Sequence, residues 1–232
     1  MKIASTMLGD FLKRATIDSS IAECRIQFTD TGIVIEAADE PQHKMVHAEL
    51  GKKAFKGYKT GEAIGIQDVR FLRSVVGSFD EDIDFVVDNN KLTIKGESKK
   101  AEIILANIKL IKELPNFPDK IEADAVFDVE SKVLKSALSN ADIVGKETEI
   151  IFEAEKGILY IETGGDNKIT EKLSVPQIKS ELKVTFDEPM KEVIKVLDGK
   201  VNINMKSKYP CKLITKDDFI SCAYVIAPRF EE

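Results

Sequence analysis

The stretch Leu8-Gly9-Asp10-Phe11-Leu12-Lys13-Arg14-Ala15 sets its apolar residues at i, i+3, i+4 and i+7, and Leu134-Lys135-Ser136-Ala137-Leu138-Ser139-Asn140-Ala141 repeats that spacing. Two further sets match it: Leu72, Val75, Val76 and Phe79, then Met190, Val193, Ile194 and Leu197. This spacing puts four apolar side chains on one stripe of a helix, so the chain is expected to hold four amphipathic helices. Their polar sides carry Lys13 and Arg14, Arg70 and Arg73, Lys132 and Lys135, and Lys191 and Lys195. The formal net charge of the chain is -6. Pairs of cations at four equivalent places in an acidic protein point to a local surface for a polyanion.

Working outward from the helices, the intervening runs have period two, the mark of half-buried antiparallel strands. Cys24, Ile26 and Phe28 alternate with Arg25 and Gln27, and a turn at Thr29 to Gly32 leads into Ile33, Val34 and Ile35. The phrase returns as Ile150, Ile151 and Phe152, a turn at Glu153 to Gly157, then Ile158 to Ile161. Both glycines stand where a hairpin favours positive φ. A second hairpin, Ile83 to Val87 then Leu92 and Ile94, is matched by Val201 to Met205 then Cys211 and Leu213. The offset between the copies is about 126 residues at the first helix and about 118 at the second hairpin. The pattern reads as a tandem duplication, each copy running helix, strands, helix, strands. Asp68, Asp128 and Asp187, with Ser5 or Thr6, precede the helices as N-cap types.

The fold class expected is α+β: two topologically similar domains of antiparallel sheet with two helices each. The boundaries fall at 1–109 and 122–232, with a connector at 110–121. Within that connector Leu114-Pro115-Asn116-Phe117-Pro118 disfavours helix through its two prolines. Its apolar Leu110, Ile111, Leu114 and Phe117 call for cover from the protein or a partner.

Hydrophobic content of 43% and charged content of 32% fit a globular protein with a heavily charged surface and exclude a disordered chain. No apolar run approaches the roughly 18 residues of a membrane span, and no signal-peptide core opens the sequence. Cys24, Cys211 and Cys222 lack metal-ligand spacing and read as reduced core thiols of an intracellular protein. His43 and His47 stand without a ligand constellation and read as structural or partner-contacting residues. With no phosphate-binding glycine loop, nucleophile elbow or carboxylate pair at a recognisable spacing, a hydrolase or transferase is the weaker reading. No cofactor and no metal are expected.

The ordered set of elements resembles the sliding clamps of archaeal and eukaryotic DNA replication, the proliferating-cell-nuclear-antigen family. The ending Tyr224-Val225-Ile226-Ala227-Pro228-Arg229-Phe230-Glu231-Glu232 is similar to that family's, with an Ala-Pro-basic core and an acidic tail. Gly32 to Ile35 followed by Asp39, His43 and Val46 resembles its first hairpin and front loop, and Ile64-Gly65-Ile66 its second crossing. Glu40-Pro41-Gln42 lengthens the front loop, Lys44 replaces a usually apolar residue, and Lys172 to Lys183 is short.

The resemblance implies one third of a ring, with helices lining a hole for double-stranded DNA and sheets forming the wall. It implies a non-enzymatic processivity factor that tethers DNA polymerase, a clamp loader and other replication or repair proteins carrying peptide motifs. The ring would be a homotrimer off the membrane, in an archaeal cell first and a nucleus or virus next. The eight helix cations would meet phosphates without reading bases. Ala38, Val46, Leu114, Pro210, Val225, Ile226 and Ala227 would line a pocket for a partner peptide. Ile103 and Leu105, with Ile169 and Leu173, would lie on strands at the two ends of the subunit, whose unlike edges pair head to tail. A competing reading of the cations is ordinary solvated helix faces, since Asp10, Glu188 and Glu192 share those helices. A further competitor is a checkpoint-type or viral relative that keeps the ring for other partners.

Overall fold

The computed structural model describes the chain except for residues 89, 115, 116, 119, 145–148, 165, 166, 176, 177, 179, 180 and 230–232, and the side chains of 141, 142 and 144. The chain divides into two compact units, Met1–Phe117 with Asp217–Cys222, and Pro118–Lys216 with Ala223–Glu232.

The first unit runs β1 (Lys2–Ala4), α1 (Ser5–Ala15), β2 (Cys24–Phe28), β3 (Gly32–Ala38), β4 (Lys44–Gly51), β5 (Gly61–Ile66), α2 (Val69–Gly77), β6 (Asp82–Asp88), β7 (Lys91–Lys95) and β8 (Lys100–Ile104). Its strands are ordered β5-β2-β3-β4 and β1-β6-β7-β8. The second unit runs β9 (Ala125–Glu130), α3 (Ser131–Val144), β10 (Glu149–Glu155), β11 (Ile158–Gly164), β12 (Lys168–Ser174), β13 (Leu182–Phe186), α4 (Glu188–Val196), β14 (Lys200–Met205), β15 (Cys211–Lys216) and, from Ala223 onward, β16 (Ile220–Ile226). Here the orders are β13-β10-β11-β12 and β9-β14-β15-β16. Element for element the second unit repeats the first, in chain order and in sheet order. The duplication read from spacing is a duplication of topology.

The helices form where their apolar stripes can be buried. On α1, Leu8, Phe11, Leu12 and Ala15 are 2% exposed or less, and α1 packs on β3, β4 and α2. On α2, Leu72 and Val76 are buried, and Phe79 closes the stripe just past the helix end. On α3, Leu134, Ala137 and Leu138 are buried. The fourth residue of that stripe, Ala141, lies outside the described side chains. On α4, Met190, Val193 and Ile194 are buried, followed by Leu197 at the C-cap.

The capping expectation holds at one helix. Asp68 accepts from the Phe71 N–H at 2.9 Å and caps α2. Asp128 instead lies within β9, where its carboxylate meets Lys200 at 2.8 Å and takes a bond from Asn202. Asp187 occupies the N-cap position of α4 without a side-chain cap bond, and lies 3.5 Å from Arg229. Ahead of α1 the N-cap is Ala4, and the Ser5 hydroxyl donates to Phe79 O at 2.7 Å. Residue type marks a cap, but a neighbouring strand with a better partner takes the carboxylate away.

The first hairpins differ in detail. β10 and β11 are joined by Lys156 and Gly157 alone, at φ 50° and 79°, a shorter turn than the one expected from Glu153. Positive φ at both central residues suits a two-residue turn to the right-handed twist of its strands. At Gly32 the reason for glycine is close approach: a Cβ there would collide with the Leu50 carbonyl oxygen across β4. The Tyr58 hydroxyl fastens this turn, lying 2.7 Å from Gly32 O and 2.9 Å from Thr29 O. Burial, with Asp30 and Glu49 nearby, raises its pKa, which keeps it protonated and donating.

After α1 the chain holds three successive non-glycine residues in the left-handed region, Ile17 (φ 48°), Asp18 (φ 54°) and Ser19 (φ 67°). For a β-branched residue such as Ile17 this is strained backbone. Bonds from Asp18 N to Lys13 O (2.8 Å) and from Ile21 N to Thr16 O (3.1 Å) hold the bend.

Cys24, Cys211 and Cys222 are buried and form no disulfide. Desolvation pushes the Cys24 thiol up to about 12 and raises Cys211 as well, so both stay protonated and inert.

Candidate nucleic-acid interface

The eight helix cations fall into three groups. Lys13 on α1, Arg70 on α2, Lys132 on α3 and Lys195 on α4 are exposed, and Lys135 on α3 is half-buried. Arg70 leans its Nε towards Ser19 O at 3.4 Å, and Lys195 stands 3.9 Å from Glu188, both loose enough to leave. These five can reach a ligand.

Arg73 is half-committed. Its guanidinium meets Ser19 Oγ at 2.5 Å and Asp18 Oδ1 at 2.9 Å, clasping the strained bend after α1.

Arg14 and Lys191 belong to the body of their units. The Arg14 side chain is 8% exposed and meets Asp10 at 2.6 Å and Asp217 at 3.0 Å. Burial alone would lower its pKa, but the bond and charge of Asp10 and the charge of Asp217 outweigh it and hold the guanidinium above its ordinary value. At Asp217, burial raises the carboxyl pKa, yet the backbone N–H groups of Ile220 and Phe219 and the charge of Arg14 bring it below the usual range. Lys191 is 7% exposed and lies 3.3 Å from Glu188 on its own helix. Helical spacing places all eight cations off the apolar stripe. It does not say which of them fold back, because Asp217 lies 203 residues from Arg14.

The residues expected to line a peptide pocket divide between the units. In the first, Ala38 and Leu114 are half-buried, while Val46 is fully buried. In the second, Pro210 is exposed, Ala227 half-buried, Val225 7% exposed and Ile226 fully enclosed. Val46 and Ile226 therefore act as packing beneath their neighbours. The connector is anchored by a residue that local spacing gave no reason to single out: Arg25 donates to Ile111 O through Nε (3.1 Å) and Nη2 (2.6 Å) and reaches Glu113 at 3.2 Å. That grip buries Ile111 and leaves Leu110 80% exposed. His47 binds Glu36 at 2.8 Å and lies against the Phe117 ring, while His43 is exposed. Pro115, Asn116 and the tail from Phe230 lie outside the described residues.

The strands expected at subunit edges are terminal in their sheets, β8 in one unit and β12 in the other. Ile103 and Leu105 face inward, 8% and 6% exposed, and Ile169 and Leu173 are half-buried. Between the two inward residues Ile104 points out, 78% exposed. Backbone alternation also turns its N–H away from β7, since Leu105 N donates inward to Asn90 O. A period-two strand with apolar residues at 103, 104 and 105 leaves its outward face undecided until the register is fixed.

Among the described residues no group of three or more His, Cys, Asp and Glu side chains could hold a metal ion. No described helix is long and apolar enough to cross a membrane.

No protein-family model matches the sequence. Curated relatives do. A DNA polymerase sliding clamp of Archaeoglobus fulgidus is 27% identical over 241 residues, covering 97% of each chain. Another, of Methanosphaerula palustris, is 28% identical over 154 residues, 65% of this chain and 62% of that one. The solved A. fulgidus proliferating cell nuclear antigen bound to the C-terminal region of FEN-1 superposes with a TM-score of 0.86 at 23% identity, covering 100% of this chain and 98% of the other. This is the sliding-clamp fold. The Entamoeba histolytica antigen has it too, at a TM-score of 0.84 and 16% identity over 99% of this chain. Within that fold the four helices described above are the elements that carry the reachable cations, two helices in each unit.

Proposed function

We propose that this protein is a DNA polymerase sliding clamp, a non-enzymatic factor that encircles double-stranded DNA and tethers polymerase, clamp loader and other peptide-bearing partners. The observation that carries the reading is the doubled topology, which presents Lys13, Arg70, Lys132, Lys135 and Lys195 on helices of an otherwise acidic chain whose full length aligns with archaeal clamps. Five cations on rigid helices suit a sliding contact: each phosphate is met by a long side chain, no base edge is read, and affinity falls with salt. Arg14, Arg73 and Lys191 support those helices in place of touching DNA. The work is tethering, carried out inside the cell on the chromosome.

Three copies close the ring in this reading. The unlike free edges of β8 and β12 pair head to tail, with Ile104 covered at the junction, and such heterologous contacts close when the rotation allows. The segment 110–121 serves as the connector. For partner peptides this reading assigns Ala38, Val46 and Leu114 in the first unit and Pro210, Val225, Ile226 and Ala227 in the second. The solved clamp with FEN-1, and a PCNA2–PCNA3 complex of Sulfolobus tokodaii with a TM-score of 0.78, lend support to partner binding and to assembly.

The test is charge reversal at Arg70, Lys132 and Lys135 together. Processivity of a cognate polymerase on primed circular DNA drops, and the slope of log affinity against log salt shrinks by about 0.9 for each phosphate no longer neutralised. Unchanged processivity and retention on circular DNA would overturn the reading. Native mass of the assembly distinguishes three identical copies from a mixed ring, in which this chain alone stays monomeric.

A further inference from the structure

One row of residues crosses the first unit's sheet in register. Gly65 on β5 pairs with Arg25 on β2, Arg25 with Glu36 on β3, and Glu36 with His47 on β4. Residues directly opposite one another on neighbouring strands share a face of the sheet, so these four form a line running across the strands. The connector touches that line at three stations. Ile111 sits against Gly65, where an added Cβ would stand 3.0 Å from Ile111 Cγ1. Ile111 O and the Glu113 carboxylate both meet the Arg25 guanidinium. The Phe117 ring lies 5.7 Å from the ring of His47, which Glu36 holds at 2.8 Å. Four strands with ordinary spacing span about 14 Å, and the chain from Ile111 to Phe117 reaches up to about 20 Å, enough to cross all four.

Side chains do the fastening. Lys112, Glu113 and Leu114 make no backbone-to-backbone bond with a described residue. The Lys112 N–H instead meets the Glu23 carboxylate at 3.4 Å, just ahead of β2. Arg25 contributes most. Its Nε and Nη2 converge on one carbonyl at 3.1 and 2.6 Å, while Nη1 reaches Glu113 at 3.2 Å. A planar guanidinium fixes direction as well as distance, which a flexible ammonium does not. Gly65 completes the seat: a strand position without a side chain admits close approach, and Ile111 descends to 3% exposure. Beyond the seat, Pro115 and Pro118 limit the conformations open to the chain.

We infer that this row lays the connector across the sheet before any partner arrives, and that Arg25 is a positioning residue for partner-peptide binding. The inference rests on the reading of 110–121 as the border of the peptide site. A connector already fixed spares the incoming peptide the entropy of ordering it. That saving appears as affinity, although Arg25 acts only through the connector.

The test uses the full chain and, as probe, a fluorescent peptide of the C-terminal region of FEN-1, the segment seen on the A. fulgidus clamp. Arg25→Ala should weaken binding about tenfold in anisotropy titrations. Arg25→Lys, which keeps the charge but loses the fork, should recover part of that loss. Retention on circular duplex DNA should be unchanged in both variants, because the helix cations are untouched. That split separates positioning of the connector from general damage to the unit. Hydrogen exchange on the unaltered protein gives a reading free of folding effects. Without peptide, the Lys112 amide should already exchange about tenfold slower than in an unstructured chain. Equal peptide binding by all three proteins, or parallel loss of peptide and DNA binding in the variants, would overturn the inference and leave the partner-peptide reading standing. So would a Lys112 amide that slows only when peptide is added, since the partner would then be ordering the connector. No binding of the peptide by the unaltered protein would overturn the partner-peptide reading itself, and this inference with it.

Discussion

Replacing Asp217 by asparagine isolates the ion pair that takes Arg14 out of the set of reachable cations. In the folded protein Asp217 Oδ1 accepts from Phe219 N at 2.9 Å and Ile220 N at 2.7 Å, while Oδ2 accepts from Arg14 Nη1 at 3.0 Å. Asparagine keeps the first oxygen and sets an amide N–H₂ against the guanidinium, so the loss is confined to the charged pair. A hydrogen bond to a charged group is worth about 1.5–3 kcal/mol when buried. The Asp217 side chain is 44% exposed, and Asp10 still pairs with Arg14 at 2.6 Å, so solvent and the second carboxylate reduce the loss to about 1–2 kcal/mol. Urea unfolding at neutral pH should show that decrease through a lower midpoint, followed by a probe in the first unit, since two units need not unfold together.

The pH dependence sharpens the test. The folded pKa of Asp217 is depressed, so its stabilisation is fully present above the unfolded aspartate value of about 3.9 and is lost as pH falls through the lower folded value. The gap between the two proteins should therefore stay constant from pH 7 to about pH 5 and close only in stronger acid. Equal midpoints at pH 7, or a gap that closes between pH 7 and pH 5, would show that the Arg14–Asp217 pair does not stabilise the unit as argued.

Two more expectations concern backbone. Gly32→Ala forces a Cβ into the Leu50 carbonyl oxygen, and thermal or urea unfolding should register a loss of about 1–3 kcal/mol, whereas a neutral result would mean the turn moves freely. Ile104→Pro removes an outward N–H from the end strand β8 without touching its pairing with β7; native mass should fall to the monomer while circular dichroism is unchanged, and an intact assembly would place the contact elsewhere.

What could be read in advance follows the range of each force. The four helices were legible because Leu8, Phe11, Leu12 and Ala15, and their counterparts, are fixed by a period of 3.6 that acts over a few residues. The doubling was legible because the same local signals recur in the same order. Asp128 misled because an N-cap type three residues ahead of a helix can also sit in a strand, and Lys200 with Asn202 supplied a partner that only pairing of β9 with β14 brings near. Val46 and Ile226 could be recognised as apolar, but period two does not say whether the face each one lies on is open or already packed. Ile104 stayed hidden between two apolar neighbours for the same reason. Arg14 and Asp217 needed the folded unit itself, since no pattern within a window links residues so far apart.

The bend at Ile17, Asp18 and Ser19 ties conformational strain to the number of mobile charges on α2. Arg73 commits its guanidinium to that bend, and Arg70 leans on the same serine. A glycine at position 17 would relax the corner and lessen its need for a clasp, releasing Arg73 towards solvent. Substitution at three backbone positions would in this way change how many guanidinium groups α2 presents to solvent, without replacing a single cationic residue.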